Sequence, residues 1–254
     1  QSMDSLKHLL ISIVILITFG CSSSCAKVKN EKIKNNTNAF IQVFHTTKII
    51  SCKKKFKDDC PVGEFTQTGS GIKINLIKTQ NVVLSAGHVC DTQPSSKISK
   101  SVQAIVVRDV DNQVHQAWPI HVTFNDSLKK TADLCLLWVP TLINTKSSMI
   151  SKSPPEVGDE IYYIGAPMGI FHPPTVPIFR GTYSGNLDNS SSIITAAATG
   201  GSSGGPVFND KHEIIGVVFA ANREFHHVTL MTDYRILQKF LSDSKKKFID
   251  FQTD

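Results

Sequence analysis

From residue 40 onward the chain is written in short apolar segments broken by turns, and many of them alternate apolar with polar positions. Gly71-Ile72-Lys73-Ile74-Asn75-Leu76 shows the period of two most plainly. Asn81 to Leu84, Val102 to Val107, Leu134 to Val139, Glu160 to Ile164, Ile193 to Ala198, Glu213 to Ala220 and Val228 to Met231 are of similar length and rich in β-branched residues. A period of two sends alternate side chains to opposite faces of a strand, so these segments predict β-structure. Helical periodicity is almost absent, and the class that follows is an all-β sandwich or barrel. Ser147 to Val157, with Pro154-Pro155 inside it, is a turn-rich joint between two strand-rich halves. Only the end of the chain changes period. Ile236, Leu237, Phe240 and Leu241 share one helical face behind Thr232-Asp233, which can cap it, and the spacing predicts a helix over about 233–247. Lys245, Lys246 and Lys247 then fall in its last turn, where positive charge suits the helix dipole. So short a basic run reads as a solvated helix end, with no nucleic-acid site implied.

The N-terminus carries a different pattern. Lys7 and His8 precede an apolar run from Leu9 to Phe19. It is shorter than the ~17–25 residues a membrane-crossing helix needs. A basic start, a short apolar stretch and small residues after it predict a secretory signal peptide over 1–26, cut after Ser24-Cys25-Ala26. Thr18-Phe19-Gly20-Cys21 is a poorer match to a lipoprotein box, so a lipid anchor at Cys21 is the lesser expectation. Residues 27–39, rich in Lys and Asn, predict a flexible lead-in. The expected location is secreted or periplasmic, with membrane contact only through a lipid at Cys21.

Composition then narrows the class. The chain has 254 residues, 41% hydrophobic and 19% charged, so it can bury a core. Its net charge of +6 suits solubility and names no partner. Removing residues 1–26 leaves Cys52, Cys60, Cys90 and Cys135 of the six cysteines. Four cysteines in an exported chain allow three pairings. Cys52 and Cys60 flank a Lys-rich loop they could close locally, which leaves Cys90 with Cys135. No CxxC or HxxxH spacing suggests a metal, and no cofactor is implied. The sequons at Asn35, Asn125 and Asn189 matter only in a eukaryotic secretory route.

Three segments carry candidate chemistry. In Val83-Leu84-Ser85-Ala86-Gly87-His88 a strand ends in small residues and delivers a histidine. In Thr131-Ala132-Asp133-Leu134-Cys135 an aspartate stands at the mouth of a strand. In Thr199-Gly200-Gly201-Ser202-Ser203-Gly204-Gly205-Pro206-Val207-Phe208 a serine sits among glycines ahead of an apolar strand. A flexible linker would be rich in Gly and Ser too, but it would not run through a rigid Pro into Val207-Phe208. Glycines beside a serine let the backbone turn sharply and let a substrate carbonyl approach two N–H groups.

In the order His88, Asp133, Ser203 these segments resemble the triad of the chymotrypsin-like serine proteases. The resemblance covers nearly all of residues 60–240. Thr68-Gly69-Ser70-Gly71 looks like the family's Gly-Ser-Gly strand, and Ile214-Ile215-Gly216-Val217-Val218 like the strand after the nucleophile. Val157-Gly158-Asp159 and Gly165-Ala166-Pro167-Met168-Gly169 resemble the Deg-type proteases. Thr199-Gly200-Gly201 and Pro206-Val207-Phe208-Asn209 resemble bacterial glutamyl endopeptidases. The resemblance implies two antiparallel β-barrels, the first over about 40–146 and the second over about 156–231, with a C-terminal helix, in one protease domain over 40–254. It implies His88 as base, Asp133 as its orienting carboxylate and Ser203 as nucleophile. The N–H groups of Gly201 and Ser203 would bind the oxyanion. Ala197, Thr199, Phe219, Ala220 and Ala221 would shape the primary pocket.

Departures from the family matter as well. Gly87 stands where Ala is usual before the histidine, a small-for-small change of little expected consequence. Ser202 replaces the Asp that pairs with a new N-terminus in digestive proteases, so activity without such trimming is expected. Ala197 offers no carboxylate to select Lys or Arg, which implies a small or medium apolar pocket. Val218 replaces the histidine with which glutamyl endopeptidases hold an acidic side chain, leaving His226 or His227 to reach the pocket instead. The sequence thus predicts an exported, monomeric serine endopeptidase acting on protein or peptide. A catalytically inactive protease-fold binding protein and a dedicated processing protease with one partner are the alternatives.

Overall fold

A computed structural model describes residues 30–76, 81–93, 95–124, 132–222 and 224–253. The expected signal segment 1–26, the lipid position at Cys21 and the sequon at Asn125 lie outside them. The described strands close into two six-stranded antiparallel barrels, as the resemblance implies. In the first, β1 (Phe40–Cys52), β2 (Gly63–Ile74), β3 (Val82–Ser85), β6 (Leu134–Trp138), β5 (Val114–Thr123) and β4 (Ile98–Arg108) follow one another around the wall. The second runs β10 (Pro206–Phe208), β11 (Ile214–Ala221), β12 (Thr229–Thr232), β9 (Ser191–Ile194), β8 (Ile178–Asn186) and β7 (Glu160–Ile164).

The pleat sorts the apolar positions into three layers. Ile41, Val43, Val83 and Leu137 point into the first barrel, and Ile161, Tyr163, Val207 and Ile215 into the second. Their sequence neighbours Phe40, Leu84, Leu136, Tyr162, Ile164 and Phe208 turn the other way, into a layer shared by both barrels. Strands with both faces covered lose their alternation, which is why Val82-Val83-Leu84 and Leu134-Cys135-Leu136-Leu137 read as unbroken apolar runs. Each such large side chain contributes about 1.5–3 kcal/mol by leaving water. Strands β1, β5 and β8 keep a more exposed face and mix in Thr, His, Gln and Arg, which hid them from the hydrophobic pattern.

Two expectations change. The lead-in is helical over residues 30–38, here α1. Ile33 packs on the shared layer, and the buried Asn36 donates to the Tyr162 hydroxyl (3.0 Å) and the His212 carbonyl (2.9 Å) while accepting from the Ser148 hydroxyl (2.8 Å). After a short α2 (Gly87–Cys90), the C-terminal helix α3 spans Tyr234–Thr253 instead of ending near 247. Phe248 prolongs its buried face, and Phe251 meets the Trp138 ring edge-on at 5.6 Å. Lys245–Lys247 therefore lie inside the helix, and its dipole does not explain them. The start is as expected: the Asp233 carboxylate accepts the Arg235 N–H at 3.0 Å.

Cys52 pairs with Cys60 and Cys90 with Cys135, with Cα atoms 6.1 and 6.3 Å apart. Such bridges persist in an oxidising compartment. Among the described residues no helix is long and apolar enough to cross a membrane.

Candidate active site

His88 follows β3 in the single turn of α2, and Asp133 is the last residue before β6. Pairing of β3 with β6, Ser85 opposite Cys135, brings the two together across 45 residues of sequence. Asp133 holds His88 at two points. Its Oδ1 accepts the His88 backbone N–H at 2.8 Å and its Oδ2 accepts Nδ1 at 2.7 Å. A carboxylate only accepts, so Nδ1 carries the hydrogen and Nε2 is left as the basic nitrogen. Gln67 Nε2 steadies the same turn by donating to the His88 carbonyl at 3.0 Å, and the Cys90–Cys135 bridge ties α2 to β6 just beyond.

Gly87 is less neutral than the sequence implied. A Cβ on it would collide with the Thr123 carbonyl oxygen at the end of β5 and stand 3.0 Å from both Asp133 Oδ1 and Leu134 N. The end of β5 approaches the histidine turn so closely that only glycine fits.

Ser203 lies in the loop 199–205 between β9 and β10, and its hydroxyl donates to the Phe219 carbonyl at 3.4 Å. Four consecutive carbonyls of this loop are occupied. Gly200 accepts from Met168 N–H (2.6 Å), Gly201 from Ser70 Oγ (2.8 Å), Ser202 from Gly205 N–H (2.9 Å) and Ser203 from Ser70 N–H (2.7 Å). In a trans peptide the N–H points opposite to the carbonyl. Holding the carbonyls of Gly200 and Ser202 therefore also sets the directions of the Gly201 and Ser203 N–H groups, neither of which donates to another described group. Gly201 has φ +89°, and a Cβ there would strike the Ala166 carbonyl. The position accepts glycine alone.

Where digestive proteases carry an Asp, Ser202 is buried (1% exposed) and accepts the Thr199 N–H at 3.4 Å. Its hydroxyl lies 3.4 Å from that of Tyr163, which in turn donates to the Ala197 carbonyl. Burial pushes the Tyr163 hydroxyl up to about 12, so it stays protonated and keeps that bond.

A cavity of about 400 Å³ opens beside Ser203, lined by Ala198, Thr199, Gly200, Val218, Ala220, Ala221, Asn222 and His226. Of the residues that the resemblance assigns to the primary pocket, Thr199, Ala220 and Ala221 line this cavity. Ala197 and Phe219 do not line it: Ala197 presents its carbonyl to Tyr163, and Phe219 packs against the first barrel's core. Ala198 takes the wall instead, and of the two histidines His226 reaches the cavity. On the other side of His88 a second cavity of about 470 Å³ runs over His45, Phe65, Gln67, Gln103 and Phe124. Sequence reasoning missed Tyr163 and the loop contacts of Ser70. Gly-Ser-Gly marked Ser70 as a place to look, whereas Tyr163 carried no signal beyond that of a core aromatic.

Compared with known proteins, residues 69–217 match the sequence profile of the trypsin-like peptidase domain. No curated protein sequence matches the chain. Solved structures with a similar fold include the Rv3671c protease of M. tuberculosis in its active form, at 16% identity and a TM-score of 0.60, covering 85% of each chain. The inactive form of the same protease has a TM-score of 0.58 at 16% identity, covering 86% of this chain and 94% of that one. A serine endoprotease from Yersinia pestis gives 16% identity and a TM-score of 0.60, over 85% of this chain and 66% of its own.

Proposed function

The chain belongs to the family of trypsin-like peptidase domains, and from that premise we propose that it is an exported serine endopeptidase cutting protein or peptide chains through His88, Asp133 and Ser203. The observation that carries this reading is the two-point hold of Asp133 on His88, at 2.8 and 2.7 Å. It leaves Nε2 as a base for the Ser203 hydroxyl, a poor nucleophile by itself at neutral pH. As Oγ bonds to the scissile carbonyl carbon, its proton passes to Nε2 and the carbonyl electron pair moves onto oxygen. The Gly201 and Ser203 N–H groups receive that oxyanion, each such donor supplying about 2.7–4 kcal/mol. Collapse breaks the C–N bond, and the leaving amine takes the proton from His88. Water then repeats the sequence on the acyl-enzyme and frees the acid. Asp133 holds the tautomer and stabilises the imidazolium throughout.

The cavity beside Ser203 receives the side chain before the scissile bond. Its described lining holds no carboxylate to select Lys or Arg, and Ala198, Val218, Ala220 and Ala221 suit a small or medium apolar group. His226 on its lining favours a second reading, in which an acidic side chain is held beside the imidazole. Export through the signal segment fits the two disulfides.

The test is a fluorophosphonate label and a peptide-library cleavage profile, run on the wild type and on Ser203→Ala. The wild type is expected to take one label and to cut after small or medium apolar residues, while folded Ser203→Ala does neither. Full activity in Ser203→Ala overturns the assignment. Labelling without library turnover points to a dedicated processing protease, and a wild type that does neither points to a binding protein. Cleavage after Asp or Glu that disappears in His226→Ala selects the second pocket reading.

A further inference from the structure

One residue of the first barrel grips the loop of the second from two sides. Ser70, in β2, is fully buried. Its hydroxyl donates to the Gly201 carbonyl at 2.8 Å and accepts the Ala166 N–H at 2.9 Å. Its backbone N–H donates to the Ser203 carbonyl at 2.7 Å, and its own carbonyl accepts the Ser85 hydroxyl at 2.7 Å. The backbone contacts would survive any side chain. The two hydroxyl contacts depend on serine, and the mechanism above does not use them.

We propose that Ser70 is a positioning residue whose hydroxyl holds the oxyanion-binding N–H groups in their working direction. The peptides around Gly200 and Gly201 have no side chains to bias their rotation, so their orientation rests on what holds their carbonyls. The Gly201–Ser202 peptide is fixed at both ends, its oxygen by Ser70 Oγ and its N–H by the Thr199 carbonyl at 3.0 Å. The Gly200–Gly201 peptide is fixed through its oxygen by Met168 N–H at 2.6 Å. The stretch that supplies Met168 begins at Ala166, whose N–H ends on the same Ser70 hydroxyl. Both clamps therefore lean on one oxygen atom. Without it, the half-buried Gly201 carbonyl and the buried Ala166 N–H lose their partners, and rotation of a glycine peptide is the easiest relief. With the stretch from Ala166 to Met168 released, rotation of the Gly200–Gly201 peptide swings the Gly201 N–H off the oxyanion position. It weakens binding of the transition state and leaves ground-state binding of substrate largely unchanged.

This role rests on the reading of Ser203 as nucleophile, and the experiment separates the two. Wild type and Ser70→Ala are titrated with a fluorophosphonate to count active sites, then assayed per site on a peptide thioester and with a peptide boronic acid, an analogue of the tetrahedral intermediate. In Ser70→Ala we expect kcat to fall about 10²-fold with KM within about threefold, the penalty typical of a reacting geometry displaced by an ångström. Boronate affinity should fall by the same factor as kcat, and the pH midpoint of kcat/KM should not move, because His88 keeps its contacts. A labelled wild type beside a Ser70→Ala whose per-site kcat and boronate affinity stay within twofold overturns the role, even if its Tm drops, since that is what a merely structural serine would do. If Ser70→Ala does not fold, Ser70→Cys, a weaker donor of similar shape, is read by the same criteria. A wild type that takes no label overturns the nucleophile reading and this role with it.

Discussion

At the scale of single residues, the site is built by exclusion as much as by attraction. Gly87 shows this most clearly, because its hydrogen is all that separates the histidine turn from the Thr123 carbonyl. Gly87→Ala introduces the residue that resembling proteases usually carry there, and the expected result is harmful. The added methyl must push away either the end of β5 or the Asp133 carboxylate 3.0 Å off. Displacement of the carboxylate lengthens both of its bonds to His88. A loss of about 10²-fold in kcat/KM is expected, with KM little changed. Steady-state kinetics on a peptide ester checks it, and wild-type rates would show that β5 yields freely. Sequence alone could not expose this, since a glycine beside a histidine looks the same whether its space is open or filled by a distant strand.

At the scale of elements, the contact between β5 and α3 makes stability depend on pH. His121 is buried, stacks on Phe240 at 4.5 Å and bonds Ser244 at 2.8 Å. The Ser244 hydroxyl gives its hydrogen to the Phe240 carbonyl (2.7 Å), so His121 Nδ1 is the donor in that pair. Burial, helped by Lys247 and Lys239 and opposed by Asp243, lowers the imidazole from 6.5 to about 4. The folded chain thus keeps His121 neutral where the unfolded chain protonates it. Its stabilising contribution is complete above about pH 6.5 and is lost as pH falls toward 4, with a ceiling of about 3 kcal/mol. Thermal unfolding between pH 7.5 and 4.5 is expected to give a smaller fall in Tm for His121→Gln than for the wild type. Equal slopes would remove His121 as the cause. The helix itself was legible from Ile236, Leu237, Phe240 and Leu241. Its last turn and a half was not, because the surface that Phe251 meets belongs to Trp138, more than a hundred residues earlier.

At the scale of the whole molecule, the two barrels share one apolar layer, and α1 pins one edge of it. Asn36 bonds the joint through Ser148 and the second barrel through Tyr162 and His212. Asn36→Ala removes three hydrogen bonds from a buried site, an expected loss of about 1–3 kcal/mol. That corresponds to a fall in Tm of several degrees for a domain of this size. Calorimetry checks the Tm. The per-site kcat is expected to stay near wild type, since Asn36 touches neither His88 nor Ser203. An unchanged Tm would return residues 30–38 to the status of a lead-in, as their composition suggested.

The sequence alone determined what depends on local pattern and on order along the chain. Alternating apolar segments with β-branched residues specify strands, Asp233 ahead of an apolar helical face specifies α3, and the order of His88, Asp133 and the Gly-Ser loop marks the candidate site through its resemblance to a known triad. Two of the four cysteines closing a short loop was legible too, because nearness in sequence is nearness in space. Contacts between distant segments were decided only by the closure of the barrels. The carbonyl of Thr123 against Gly87, the hydroxyl of Ser70 under Gly201, the choice of Ala198 over Ala197 for the cavity wall and the burial of Asn36 each join residues whose separation carries no periodicity. A hydrogen bond or a steric limit acts over about 3 Å, and only the folded chain says which atoms lie that close.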